Sequence, residues 1–169
     1  MSINMSHPTS NYTDYLGQKF TFTWIKTNKM EDFLPCTQAY GICFTHKGEI
    51  IVINNKGMMS IPGGTPEKGE SPQEALIREL MDEADVKISI YLPLGVQTVE
   101  RGGKLESYQY RYVCLVSDVL PQTPDPDNGI IHPRFLVPCD EITSYVKWGN
   151  TGEAMFKDAI KLFQEKLVN

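Results

Sequence analysis

The chain has no excess of basic charge. Its 16 Lys and Arg stand against 21 Asp and Glu, a formal net charge of −5. That argues against a partner held through a nucleic-acid backbone, which needs a basic footprint. It does not argue against a nucleotide bound through metal. No apolar run approaches the roughly 20 residues of a membrane span, so no membrane partner is expected. The opening residues, Met1 to Gln18, are polar and lack a signal-peptide core. Cysteine is sparse: Cys36, Cys43, Cys114 and Cys139 show no C-x-x-C spacing and read as reduced, mostly buried thiols of a cytoplasmic protein. His7, His46 and His132 are scattered, which argues against a His-based metal site. There is no internal repeat, low-complexity tract or domain boundary.

What is present fits one domain with a sizeable core in 169 residues. Residues 1–17 read as a loose N-terminal arm and 18–169 as the domain. Lys19–Lys26 alternates, with Phe20, Phe22 and Trp24 on one face of a strand. Thr27–Pro35 is a connection. Thr37–Thr45 and Ile50–Asn54 form a hairpin around His46–Glu49. Met58–Ile61 leads into Pro62-Gly63-Gly64. Further on, Lys87–Glu100 is extended and Arg101-Gly102-Gly103-Lys104 signals a tight hairpin into Leu105–Ser117. There Tyr108, Tyr110 and Tyr112 share one face, with Gln109, Arg111 and Val113 on the other. Leu120–Pro133 is a proline-rich loop of more than about ten residues, a length often associated with function. Arg134–Pro138 is a last short strand, Asp140 caps a short helix to Val146, and Gly152–Leu167 is a second amphipathic helix. Strands in runs with two longer helices predict a mixed sheet covered on both faces.

The chemistry concentrates in Gly64–Val86. Ser71 is a good N-cap, Pro72 suits the first helical position and Glu74 completes a capping box. The helix runs from there to about Ala84. Leu76, Leu80 and Ala84, widened by Ile77 and Met81, give it an apolar stripe. Glu79 and Glu83 lie on one face one turn apart, and Asp82 joins them. Three like charges on two turns repel each other, and a bound divalent cation would reverse the sign of that interaction. Arg78, always charged, is placed to clamp neighbouring carboxylates, Glu70 among them.

The stretch resembles the Nudix box, G-x5-E-x7-R-E-U-x-E-E-x-G-U, with U aliphatic. Gly64, Glu70, Arg78, Glu79, Leu80, Glu83 and Val86 match in register. A solvated acidic helix is the plainer explanation of Glu79 and Glu83 alone, but it does not account for the loop glycine, Glu70 and Arg78. Two positions depart: Asp82 stands for a Glu, and Asp85 for the last Gly. Asp85 falls where a left-handed C-cap is expected, and Asp is among the few non-glycine residues that tolerate φ > 0. A weaker echo of the family's closing strand and acidic helix start follows in Arg134–Ile142, while Met58–Ile61 lacks the Trp often found there.

The resemblance implies a Nudix-type α/β/α sandwich and a Mg²⁺- or Mn²⁺-dependent hydrolase. It would cleave the pyrophosphate linkage of a nucleoside diphosphate joined to another group. Glu79, Glu83, the Gly64 carbonyl, Asp82 and Glu70 are the implied metal set, with Glu70 either completing the cluster or pairing with Arg78. The general base is a box glutamate or an acidic residue on a later loop. Asp127 is the loop candidate, ahead of Asp125 and His132. The partner is a nucleotide-type small molecule, and a homodimer fits the family. The proline of ADP-ribose enzymes, the tyrosine of dinucleoside polyphosphate enzymes and the coenzyme A and NADH motifs are absent, which leaves a nucleoside triphosphate or a nucleotide-sugar-like substrate. Two other readings compete. One is a catalytically inactive nucleotide-binding or sensor module on the same fold. The other is an isomerase like isopentenyl diphosphate isomerase, which would need a reactive cysteine.

Overall fold

A computed structural model describes residues 6–168. Nine strands form one sheet: β1 (Thr9–Thr13), β2 (Lys19–Lys26), β3 (Cys36–Phe44), β4 (Glu49–Asn55), β5 (Met58–Ser60), β6 (Gly63–Gly64), β7 (Val86–Arg101), β8 (Lys104–Val119) and β9 (Arg134–Pro138). The order is β1-β2-β7-β8-β3-β4-β5, with β6 on β3 and β9 on β4. The β3–β8 pair is parallel and the other pairs are antiparallel, so the sheet is mixed. Helix α1 (Pro72–Ala84) covers one face, and α2 (Ile142–Tyr145) and α3 (Gly149–Lys166) cover the other.

Alternation along the central strands builds a core on each face. Ala39, Cys43, Tyr110, Tyr112 and Cys114 meet Leu76, Leu80 and Ala84 of α1. Trp24, Ile42, Phe44, Val113 and Leu115 meet Met155, Phe156, Ala159 and Phe163 of α3. The tyrosines of β8 therefore pack the sheet: Tyr110 also donates its hydroxyl to the Phe33 carbonyl. Trp24 is buried and donates Nε1–H to Asp158 at 2.9 Å. On the α3 face Arg111 is 2% exposed, lies over the Tyr40 ring at 4.4 Å and donates to Gln109. Gly41 lets α1 approach β3, because a Cβ there would sit 3.1 Å from Leu80 and 3.2 Å from Leu76. Pro93 falls at one of the register shifts of β7, an irregularity of the kind that tolerates proline within a sheet.

Three expectations need correction. In the arm expected at 1–17, residues 1–5 lie outside the described residues, but Thr9–Thr13 is a strand paired with β2. Its polar sequence hides it, since its side chains are mostly exposed and what holds it is backbone pairing. Ser10 adds a tie to α3, donating to the Trp148 carbonyl and accepting from Thr151 N–H. Ile77 is 51% exposed and leaves the apolar stripe of α1; Met81 stays at its margin. Asp140 caps nothing: it lies inside a 3₁₀ turn, Cys139–Glu141, that runs directly into α2. The Thr27–Pro35 connection holds a short 3₁₀ turn at Met30–Asp32, anchored by buried Met30. Among the described residues, no helix is long and apolar enough to cross a membrane.

Candidate active site

The N-terminus of α1 is built as its sequence predicts. The Ser71 hydroxyl accepts from Glu74 N–H, Glu74 returns the bond to Ser71 N–H, and Pro72 opens the helix. Two helical turns on, Arg78 makes a dense set of contacts. Its Nε and Nη2 donate to the two oxygens of Glu70 at 2.8 and 3.0 Å. Its Nη1 donates to Glu79 at 2.8 Å, and Nη2 also reaches the Thr65 carbonyl at 3.2 Å. Asp82 stands 3.7 Å from Nη1. Glu70, whose Oε2 also accepts from Glu67 N–H, is thus the partner of Arg78. That pairing holds Glu70 below the usual carboxylate range.

Glu79 is 8% exposed, and burial raises its pKa despite the bond from Arg78. Gly64 leaves room for it: a Cβ on Gly64 would lie 2.5 Å from the Glu79 carboxyl. Glu83, one turn further, accepts from Gly63 N–H at 3.1 Å. Burial, with Glu79, Asp125 and Asp82 nearby, pushes Glu83 up to about 7. Asp82 is also raised, first by burial. The short β6 pairing with β3 at Ala39 and Tyr40 is what holds Gly63 and Gly64 against these side chains.

The loop 120–133 closes over the opposite side. Gly64, Glu79, Glu83, Asp125, Asp127 and Asn128 line an open polar cleft of about 280 Å³, together with Arg78, Thr65 and Glu67. Asp125 is 5% exposed and organises the loop: its carboxylate accepts from Asp127 N–H at 2.9 Å and from the Asn128 amide, and faces His132 Nε2 at 3.2 Å. Its carbonyl takes the Gly129 N–H at 2.7 Å. Asp127 is exposed, and its carboxylate makes no hydrogen bond among the described residues. Of the three loop candidates, Asp125 and His132 are thus engaged with each other, and Asp127 presents a free carboxylate to the cleft. A second cleft of about 340 Å³, between Lys26, Pro93 and Leu162, holds no comparable carboxylate cluster.

The donor set fits a hard divalent ion. The pKa values of Glu79, Glu83 and Asp82 are raised, first by burial and then by neighbouring carboxylates that include Asp125 and Asp127 of the loop, and Arg78 is already committed to Glu70 and Glu79. Among the described residues, however, no three His, Cys, Asp or Glu side chains are already gathered to ligate one ion. Two features escape the sequence pattern. Asp85 carries a tether to the loop. Arg134 caps the end of α1, donating to the Ala84 carbonyl at 2.6 Å and the Leu120 carbonyl at 2.9 Å. The unmatched box position is the one hint of the first; Arg134 has none beyond its place at the head of β9.

Fold and cleft together define an α/β/α sandwich protein with a carboxylate-walled site fed by a glycine loop. A family model described as the NUDIX domain matches residues 36–158, and the chain belongs to that family, whose members are generally pyrophosphohydrolases. Solved structures agree on the fold. The pyrophosphohydrolase BsRppH of Bacillus subtilis, solved as a point mutant, aligns over 95% of this chain and 99% of its own, at 14% identity and a TM-score of 0.67. A Caenorhabditis elegans Ap4A hydrolase in a binary complex aligns over 78% of this chain and 99% of its own, at 14% identity and 0.58. A MutT structure, from work on the Aliivibrio salmonicida and Vibrio cholerae proteins, aligns over 74% and 95%, at 17% identity and 0.55.

Proposed function

We propose that the protein is a metal-dependent hydrolase that cleaves the pyrophosphate linkage of a nucleoside diphosphate joined to another group, by attack of water at phosphorus. The observation that carries this reading is the pair Glu79 and Glu83 on one face of α1, the first buried and the second half-buried. Arg78 and Gly63 N–H steady them, and Asp127 lies across the cleft. Glu79 and Glu83 would hold Mg²⁺ or Mn²⁺ with the Gly64 carbonyl, and Asp82 would join directly or through water. Once bound, such an ion supplies Lewis-acid charge at the phosphoryl oxygens and lowers the pKa of water. Arg78 keeps the Glu79 carboxylate in one orientation, and Glu70 fixes Arg78 from behind. Gly63 and Gly64 keep side chains out of the approach to the phosphates. Asp127, exposed on the loop and unpaired among the described residues, is the group we assign to accept the proton of the attacking water. The four free cysteines suit a reducing compartment, and we place the protein in the cytoplasm.

The departures at Asp82 and Asp85 favour a second reading, a nucleotide-binding module that has lost its chemistry. One experiment separates the two. The protein is incubated with Mg²⁺ and nucleoside triphosphates, oxidised nucleotides, nucleotide sugars or dinucleotides, and products are identified by mass, with Glu83→Gln as control. Turnover that disappears in E83Q supports the hydrolase and identifies the bond. Binding without turnover on any compound would leave the module.

A further inference from the structure

Asp85 occupies the box position where the family has glycine, and its side chain is not idle. It sits in the left-handed region (φ 50°, ψ 48°) and is 5% exposed. Its two carboxylate oxygens accept from Thr123, one from the backbone N–H at 2.8 Å and one from the hydroxyl at 2.7 Å. Its carbonyl accepts the Leu120 N–H at 2.9 Å. Thr123 stands two residues before Asp125, whose carboxylate accepts Asp127 N–H and whose carbonyl accepts Gly129 N–H, so that the Asp127–Gly129 turn is hung on it. A glycine could take the same backbone conformation without the Cβ penalty, but it could not hold Thr123.

We propose that Asp85 is a positioning residue: its carboxylate fastens Thr123 to the end of the acidic helix and so holds Asp127 over Glu79 and Glu83. The far end of the same loop is tied to the same place, because Arg134 bonds the Ala84 and Leu120 carbonyls. A loop of this length without strand or helix loses much conformational entropy when it is fixed. The clamp from Asp85 meets part of that cost where the loop turns toward the cleft. The αL strain at Asp85 is then the local cost of an acidic side chain that reaches Thr123.

The test uses the full chain and two independent readouts. In the metal-free protein, Asp85→Gly should speed amide exchange across residues 123–129 by about tenfold or more, while protection in the middle of α1 is kept. This arm does not depend on the hydrolase reading; the kinetic arm does. With Mg²⁺ and the compound turned over fastest in the product screen, D85G should lower kcat by about tenfold and change KM less than about twofold, because it misplaces a reacting group without removing a binding contact. Thr123→Val should act in the same direction, and D85G/T123V should be no worse than D85G alone. On an Asp127→Asn background D85G should have almost no further effect, which a merely structural role would not produce. Unchanged loop exchange in D85G overturns the proposal. So does an equal fall in kcat on the parent and on D127N. Turnover surviving in E83Q would instead sink the hydrolase reading and leave the exchange result to judge Asp85.

Discussion

Replacing Glu83 by Gln changes one charge and almost no volume, and the amide oxygen can still accept the Gly63 N–H that Glu83 accepts at 3.1 Å. In the metal-free protein the exchange should stabilise the fold at high pH. The folded carboxyl is pushed from 4.5 up to about 7, chiefly by burial. Between those values the folded state binds more protons than the unfolded one, so stability falls as pH rises through that window. At 1.36 kcal/mol for each pH decade the full effect is about 3 kcal/mol, and partial solvent access brings the expectation to about 1–3 kcal/mol. A domain of this size gains about 2–4 °C in Tm per kcal/mol. The assay is denaturant or thermal unfolding in EDTA, at about pH 5 and about pH 8, on wild type and E83Q. E83Q should be the more stable protein at the higher pH, and the gap should shrink several-fold at the lower, where folded wild-type Glu83 keeps its proton. Glu79 and Asp82 are also raised but are present in both proteins, so they largely cancel in the difference. Adding Mg²⁺ at the higher pH should restore wild type far more than E83Q. A gap of equal size at both pH values, or an E83Q protein less stable at the higher pH, would refute the assignment of Glu83 as a strained, unneutralised carboxylate.

Gly64→Ala places a Cβ about where the Glu79 carboxyl now lies, 2.5 Å from its carbon. Because Arg78 pins that carboxyl, turnover should fall by about 100-fold, as for a misplacement on the order of 1 Å, while circular dichroism reports a retained fold. Arg78→Lys keeps the charge but loses the fork that engages both Glu70 oxygens and Glu79 together. Turnover or metal affinity should drop by about 10–100-fold, read from a metal titration of rate; an unaffected R78K would dismiss the clamp. Asp82→Asn should weaken Mn²⁺ binding, measured calorimetrically, by about tenfold or more, and Asp82→Glu should bind at least as well as wild type. Equal affinity in D82N would remove Asp82 from the ion's surroundings.

Where one local rule decides the structure, the sequence is a good guide. Ser71, Pro72 and Glu74 specify the start of α1 by their own side chains, and the spacing of Leu76, Leu80 and Ala84 specifies the face that meets the sheet. Glu79 and Glu83 follow from the same periodicity, and the contacts of Arg78 with Glu70 and Glu79 follow from charge and spacing. Ile77 shows the limit of the pattern. The sheet covers a narrower arc of α1 than its apolar residues span, so Ile77 is left outside. Strand β1 shows another, since a polar edge strand is held by backbone bonds and carries no alternation to read.

The loop over the cleft is illegible for a different reason. Its form depends on bonds between residues far apart in the chain: Asp85 with Thr123 and Arg134 with Ala84. Neither has a spacing that recurs in a local element, so no window of sequence contains it. Sequence does mark where to look, through a mismatch. An aspartate at a position that favours glycine is costly unless its side chain is used, and here both oxygens are used. A departure from a motif at a strained backbone position is therefore informative in its own right. Asp82, at an unstrained helical position, carries no comparable information, and only its distance to Arg78 and its place beside Glu83 give it a role to test.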